Sequence, residues 1–427
     1  MTTTQQKKSV NPIIIIGALF FVFGFITWLN SVLIPYLKIA CELSNFEAYL
    51  VAFSFYLAYF FTAIPASRLL RLYGYKKCMS LGLWVMALGA LVFIPAAVTR
   101  TYGLFLAGLF IQGTGLTLLQ AAANPYITIL GPLESAARRI SIMGVCNKLA
   151  GAIAPIVLGA VVLQDADMLN IGLLKMTPVE KTAALDQLAT RVIVPYLCIM
   201  VSLTILAVLI YFSGLPEISA EDDSANITAA NNERNSVMKF PGLLLGVLAM
   251  FLYVGVEVMA GDTVISYGAY HGIPLLTAKF FTTCTLVGMI AGYITGIICI
   301  PRYFTQETAL KLFALSGVLL TIAAIATNGY VSVACIALLG FANSLIFPAI
   351  WPIALKGLGR FTQTGSSLLV MAISGGAVIP LLYGQLADML NPRTAYWVMV
   401  PCYLFILYYG YYGTRTVTAD KNTLFRV

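Results

Sequence analysis

Long, uninterrupted apolar segments recur along almost the whole chain, and they constrain the fold more than any other feature. A helix that crosses a bilayer needs about 20 predominantly apolar residues, and the first segment, 13–37, exceeds that length. The segments fall at 13–37, 46–69, 79–99, 102–130, 140–163, 191–213, 241–266, 277–299, 309–327, 329–353, 364–386 and 394–413. The sequence therefore predicts an all-α integral membrane protein with twelve transmembrane helices.

Composition separates this prediction from the alternatives. Hydrophobic residues make up 60% of the chain and charged residues only 10%, whereas soluble domains carry roughly a quarter charged residues. Strands of a membrane barrel alternate apolar with polar residues, but the run from Ile13 to Trp28 is continuous. A nucleic-acid-binding module is excluded despite the net charge of +8. With one histidine, His271, and scattered cysteines, neither an enzyme, a metal site nor a cofactor is expected.

The distribution of Lys and Arg predicts the orientation of the chain. An even number of spans places both termini on one side, and short cytoplasmic loops are enriched in Lys and Arg. Of the 25 such residues, seventeen fall on the side of the termini, seven fall on the other side, and Lys148 lies inside a span. Both termini are therefore expected in the cytoplasm.

Two motifs occur in the same order in both halves of the chain. Span 5 carries Gly-xxx-Pro-xxx-Gly at 151–159 and span 11 repeats it at 376–384, an offset of 225 residues. Asn124-Pro125 in span 4 corresponds to Phe347-Pro348 in span 10, an offset of 223. Parallel repeats of six spans, related by a pseudo-two-fold axis along the membrane normal, build the major facilitator fold. We expect an N-terminal six-helix bundle at 1–213, a cytoplasmic linker at 214–239 and a C-terminal six-helix bundle at 240–427 with a short cytoplasmic tail.

Short motifs in five spans resemble one branch of that superfamily. They are Asn30-Ser-Val-Leu-Ile-Pro, Gln120-Ala-Ala-Ala-Asn124-Pro-Tyr, Asn147-Lys148, Tyr253-Val-Gly-Val-Glu257 and Asn343-Ser-xx-Phe-Pro. Together they resemble the fucose-galactose-hexose symporter family, and most closely its glucose/galactose and N-acetylglucosamine porters. The fucose porters carry two acids where this chain has Ser31 and Gln120, so their proton relay is not simply carried over.

Polar side chains inside the spans are the candidate site residues, because a polar group in hydrocarbon is costly unless it faces protein or a water-filled cavity. Amides suit sugars because each offers a donor and an acceptor to hydroxyl groups, although they also join helices in membranes. Aromatic rings in the same segments can stack on a sugar. The predicted sugar-binding residues are Asn30, Gln120, Asn124, Asn147, Glu257, Asn343, Trp28, Trp351 and Tyr253.

Two acids in span 7, Glu257 and Asp262, are the candidates for cation coupling. Glu257 lies deep in an apolar span, where it can bind a cation or a sugar hydroxyl, or form a structural salt bridge with Lys148. Oxygen atoms of Asn343, Ser344 and Thr263 could complete a sodium cage around Glu257.

The resemblance implies a secondary active transporter that imports a hexose of the glucose, galactose or mannose type by cation symport. Sodium is favoured over a proton, partly because the glucose/galactose porters are associated with it. The alternatives are an N-acetylglucosamine or fucose proton symporter and, on weaker grounds, a drug or metabolite antiporter. The expected partners are a monosaccharide, Na⁺ or H⁺ and the lipid bilayer, with the protein a monomer in a bacterial inner membrane.

Overall fold

The computed structural model describes residues 12–129, 136–173, 175–215, 237, 240–300, 303–358 and 361–412. Helices form nearly all of this part of the chain. They are α1 (Pro12–Trp28), α2 (Asn30–Ala40), α3 (Asn45–Thr99), α4 (Tyr102–Ile129), α5 (Ala136–Val162), α6 (Ala166–Leu173), α7 (Pro178–Thr190), α8 (Ile193–Phe212), α9 (Pro241–Asp262), α10 (Val264–Tyr270), α11 (Leu275–Cys299), α12 (Gln306–Ala326), α13 (Gly329–Asn343), α14 (Ile346–Leu355), α15 (Thr362–Ala372), α16 (Gly375–Met389), α17 (Pro392–Ala395), a 3₁₀ turn (Tyr396–Val398) and α18 (Met399–Tyr412).

The helices account for twelve membrane spans. Ten helical stretches of the described chain are long and apolar enough to cross a bilayer. One of them, α3, has 55 residues and turns sharply at Gly74, whose φ of 75° and ψ of 173° suit only glycine, so it supplies two spans. The last span, α17 to α18, is interrupted by the 3₁₀ turn. The prediction of an all-α fold with twelve spans is confirmed.

Spans 1 and 7, which occupy corresponding positions in the two halves, are both broken into a longer and a shorter helix. The first break separates α1 from α2, and the second separates α9 from α10. At the breaks, the Ser31 hydroxyl donates to the Trp28 carbonyl (2.8 Å) and the Thr263 hydroxyl donates to the Met259 carbonyl (2.7 Å). Hydroxyls of this kind add hydrogen bonds to backbone carbonyls at a break inside the membrane, although the Met259 carbonyl also accepts the Thr263 backbone N–H.

The repeated glycine motifs lie where the first half (spans 1–6) meets the second half (spans 7–12). There α5 packs against α11, and α3 packs against α16. A Cβ atom on Gly376 would come within 2.9 Å of the Tyr56 ring, and one on Gly151 would overlap the Trp28 ring. Both motifs therefore allow helices and large aromatic rings to approach closely.

The two halves are closed against each other on one face of the protein. We call the face where α1 begins and α18 ends the terminal face, and the other the opposite face. Toward the opposite face, every residue of 30–37 in α2 is buried, as is every residue of 258–265 across α9 and α10. The predicted polar segment 164–190 on this side contains α6 and α7. The predicted linker, 214–239, lies almost entirely outside the described residues, so the domain boundaries stay a prediction.

Candidate functional site

An ion pair joins the two halves inside the membrane-spanning helices. The Lys148 ammonium of α5 lies 2.6 Å from Oε1 of Glu257 in α9, and the two side chains are only 10% and 12% exposed. The salt bridge that sequence analysis left open for Glu257 is therefore present. Because each partner belongs to a different half, the pair must change whenever the halves move apart at this level.

Trp28 packs against this ion pair. The Lys148 ammonium lies 4.7 Å from the centroid of the Trp28 ring, a distance at which the ring attracts a cation. The ring is held between Gly151 of α5 and Gly261 of α9, and a Cβ atom on either glycine would overlap it. Trp28 is buried, and its Nε1–H has no hydrogen-bond partner among the described residues.

A row of aromatic rings from the second half extends from the same region. Tyr253 lies one turn before Glu257 on α9, and its ring centroid is 6.2 Å from that of Phe347. Phe347 in turn stacks on Trp351 at 5.6 Å with an interplanar angle of 28°. Two of the three predicted aromatic residues, Tyr253 and Trp351, thus belong to one row of packed rings, in which Tyr253 is fully buried and Trp351 is half-buried, while Trp28 lies beside the ion pair.

The predicted amides have different surroundings. Asn30 is buried, and its Nδ2 has no partner within the described chain. Asn343 accepts a hydrogen bond from the Tyr403 hydroxyl (2.9 Å), but its Nδ2 is also without a partner there. The Asn147 amide donates to the Phe20 carbonyl over 3.4 Å, a long hydrogen bond that joins α5 to α1.

The two remaining amides lie on α4. Gln120 is half-buried. The side chain of Asn124 lies outside the described residues.

The oxygen cage that sequence analysis predicts around Glu257 is not assembled. The Thr263 hydroxyl bonds to the Met259 carbonyl and pairs with the Tyr396 hydroxyl at 2.5 Å. The Ser344 hydroxyl donates to its own helix, and the Asn343 oxygen is used by Tyr403. In this arrangement helix packing gives these groups other partners and presents an ammonium to Glu257, and the cage stays a prediction.

Asp262, the second candidate for coupling, has no such partner. Its side chain lies at the end of α9 and the residue is 1% exposed. Neither carboxylate oxygen has a hydrogen-bond partner in the described part of the chain.

Among the contacts between the halves that sequence analysis missed is one made by Asp388. Asp388, at the end of span 11, accepts hydrogen bonds from the backbone N–H groups of Asn45 (3.0 Å) and Phe46 (2.7 Å) at the start of α3. The Asn45 side chain adds a third bond, at 2.6 Å. A carboxylate at a helix N-terminus is favourable, but only the fold shows that this acid caps a helix of the other half.

A separate groove of about 780 Å³ lies on the outside of the first half, between α1, α5 and α8. Its walls are almost entirely apolar, with Ser202 as the one hydroxyl residue among the residues that line it. A groove of this composition does not suit a sugar.

Comparisons with known proteins agree with this architecture. The family model of the Major Facilitator Superfamily matches residues 16–379. A glucose/galactose transporter of Brucella abortus is 34% identical over 417 residues, which cover 97% of each chain. The L-fucose-proton symporter of Escherichia coli is 32% identical over 425 residues, covering 97% of this chain and 95% of the symporter.

Solved structures give the same result. The crystal structure of the transporter FucP in the outward conformation matches with a TM-score of 0.72 and 30% identity, covering 95% of this chain and 99% of FucP. The fold and the central inter-half site are those of a membrane transporter of the major facilitator class. The chain belongs to the Major Facilitator Superfamily and, within it, to the fucose-galactose-hexose symporter family.

Proposed function

We propose that this protein is a secondary active sugar transporter that imports a hexose together with a cation by alternating access. The relatives named as glucose/galactose transporters and L-fucose-proton symporters support sugar symport. A hexose of the glucose, galactose or mannose type is the favoured substrate, with fucose or N-acetylglucosamine as the alternative. A drug or metabolite antiporter is less well supported, because the central site is rich in hydrogen-bonding groups.

The observation that carries the proposal is a set of buried donors on spans 1 and 10, of which Trp28 lies beside the inter-half ion pair. Trp28 Nε1, Asn30 Nδ2 and Asn343 Nδ2 are buried without partners among the described residues. Buried donors are nearly always satisfied in folded proteins, so each exception needs an explanation. Sugar hydroxyls accept and donate hydrogen bonds, and they would satisfy donors of this kind.

The Lys148–Glu257 ion pair offers further hydrogen-bonding groups to a bound sugar. A hydroxyl group can donate to the Glu257 carboxylate and accept from the Lys148 ammonium, so a sugar would compete with the direct contact between the two side chains. Because the partners belong to different halves, sugar binding would alter an interaction that holds the halves together. Phe347 and Trp351, the half-buried members of the aromatic row, offer an apolar surface for the C–H face of the sugar ring.

We infer that the coupled cation is a proton rather than the sodium ion that sequence analysis favours. The Lys148 ammonium lies 2.6 Å from the Glu257 carboxylate, and a fixed positive charge at that distance opposes a second cation. The remaining proposed sodium ligands bond elsewhere. Both termini in the cytoplasm, a bacterial inner membrane and a monomeric state complete the proposal.

Counterflow in proteoliposomes tests the proposal directly. Labelled galactose, glucose, mannose, N-acetylglucosamine and L-fucose are compared, with sodium and pH gradients imposed separately. The wild-type protein should exchange at least one hexose, and a pH gradient alone should drive its accumulation. Exchange of none of these sugars would show that the assignment as a sugar transporter is wrong.

Two single substitutions test the predicted amides in the same assay. Gln120→Ala and Asn30→Ala each remove one partner of a sugar hydroxyl, which costs roughly 1–3 kcal/mol and weakens affinity about ten-fold to a hundred-fold. Gln187→Ala, at an exposed position of α7, is the matched control and should leave affinity unchanged. Wild-type affinity in both test variants would remove these amides from the site.

A further inference from the structure

We propose that Asp262 is the residue that carries the co-transported proton, an assignment that rests on the proposed symport function. Asp262 ends α9 at the break in span 7, and it is buried with neither oxygen hydrogen-bonded to a described residue. An ionised carboxylate buried without a counter-charge or a hydrogen bond costs far more free energy than the neutral acid. The closed arrangement of the halves is therefore compatible with a protonated Asp262.

The groups around Asp262 supply no compensating positive charge. Glu257, on the same helix, adds a negative charge, and Tyr49 and Tyr56 of α3 approach closely enough to interact with Asp262 electrostatically. Tyr383 of α16 packs against Tyr49, and Tyr396 of the 3₁₀ turn pairs with the neighbouring Thr263 hydroxyl. These are neutral phenols at physiological pH.

The cations of the neighbouring helices are engaged elsewhere. Lys148 of α5 pairs with Glu257, and Lys38 of α2 donates to Asn45. Lys279 of α11 lies over the Phe280 ring at 5.4 Å. Asp262 therefore differs from Glu257, whose charge is balanced by an ammonium from the first half.

The position of Asp262 connects its protonation to the movement of the halves. Tyr49 and Tyr56 come from the first half, and Gly261, the preceding residue, packs against Trp28 of that half. Separation of the halves on the opposite face would expose the carboxylate to water, where it is stable as the anion. Closure removes that water, so the carboxylate must first take a proton from the solution on that face. The proton returns to water when the site opens toward the terminal face.

Asp262→Asn tests this assignment, because the amide keeps the shape of the side chain and cannot carry the proton. In proteoliposomes, pH-gradient-driven accumulation of labelled galactose, or of whichever hexose wild type exchanges best, should fall at least ten-fold. Counterflow of the same sugar at equal pH should stay within about two-fold of wild type. Asp186→Asn, at an exposed position of α7, is the charge-matched control and should retain both activities. Undiminished accumulation in Asp262→Asn would overturn the assignment.

A second measurement does not depend on sugar transport. Infrared difference spectra of the wild-type protein should show the carbonyl band of a protonated carboxylic acid that is absent in Asp262→Asn. If Asp262→Asn fails to fold, Asp262→Glu should shift that band, and an unshifted band would overturn the assignment. If wild type exchanges no sugar, the proposed function fails while the infrared result still decides whether Asp262 holds a proton. Accumulation driven by sodium alone, with no response to pH, would overturn the proton assignment.

Discussion

Two acids on one helix, five residues apart, have opposite surroundings. Glu257, more than one turn before the end of α9, lies against the first half of the protein, with the Lys148 ammonium 2.6 Å away. Asp262, at the end of the same helix, lies near Tyr49 and Tyr56 of the first half. Neither of its carboxylate oxygens has a hydrogen-bond partner among the described residues. The comparison shows that the half across the interface, rather than the helix that carries the acid, determines whether a buried carboxylate is balanced. A paired acid suits a structural or sugar-binding role, and an unpaired one suits proton carriage.

The largest expected effect on stability comes from leaving Glu257 without a positively charged partner, as Asp262 already is. Lys148→Met removes the ammonium and leaves the Glu257 carboxylate buried without its counter-charge. Breaking a buried pair in this way costs about 3–5 kcal/mol, so the variant should unfold at a clearly lower temperature in detergent. Thermal unfolding, followed by loss of monodisperse protein, measures the change.

A double variant separates the lost contact from the stranded charge. Lys148→Met with Glu257→Gln removes both charges and should recover much of the stability, because no ionised group is left unpaired. Asp262→Asn should change stability far less than Lys148→Met, since it breaks no ion pair. Equal stability of Lys148→Met and wild type would contradict the contrast between the two acids.

A smaller effect is expected at Asp388, an acid balanced by backbone N–H groups of the other half. The N-terminus of α3 has its own capping box of Ser44 and Glu47, and Asp388→Ala removes the additional hydrogen bonds that the other half makes to Asn45 and Phe46. The loss is roughly 0.5–2 kcal/mol, and it should shift the halves toward separation on the opposite face. Spin labels at the exposed positions Val179 and Leu390, in a cysteine-free background, report the distance between the halves there. Electron-spin distance measurements should show a larger population of long distances in the variant.

Asp388→Asn provides the graded control for this contact. The amide keeps one oxygen acceptor for the Asn45 and Phe46 N–H groups but loses the negative charge. Its distance distribution should therefore fall between those of wild type and Asp388→Ala. If all three distributions coincide, Asp388 does not contribute to closure.

The smallest effect is expected at His271, in the loop between α10 and α11. His271 also titrates near physiological pH, so its effect has to be separated from that of Asp262. Burial, and secondarily the positive charge of Arg393, lower the pKa of His271 below 6.5. Its neutral Nδ1 accepts a hydrogen bond from the Gly329 N–H at 3.3 Å. The contribution of His271 to the stability of the fold is therefore present above 6.5, the pKa of this side chain in the unfolded chain. It is lost as the pH falls through the lower pKa of His271 in the folded protein.

His271→Gln should weaken this pH dependence. Thermal unfolding of wild type and variant between pH 7.5 and 5 should show a steeper fall of the unfolding temperature in wild type. This difference should be smaller than the effects of Lys148→Met and Asp388→Ala. The pH dependence of sugar accumulation should be the same in both proteins. A change in accumulation would mean that His271, rather than Asp262 alone, contributes to the pH response.

The sequence by itself determined the twelve-span architecture, because the length and apolar character of a segment decide whether it can cross a bilayer. The repeat of the glycine motif at 151–159 and 376–384 indicated two similar halves. The sequence also identified Glu257 and Asp262 as unusual, since an acid inside an apolar span is costly wherever the helix packs. These properties are local to one segment or compare two segments directly, so they can be read along the chain.

Only the tertiary structure decided which partner each polar side chain meets. Lys148 and Glu257 are 109 residues apart, and Asp388 caps a helix 343 residues away. The predicted sodium cage is not assembled in this arrangement for the same reason, because Thr263 and Asn343 bond to Tyr396 and Tyr403. Such pairings depend on the rotation of each helix and on the contact between the halves. Neither is encoded in the hydrophobicity of any single span.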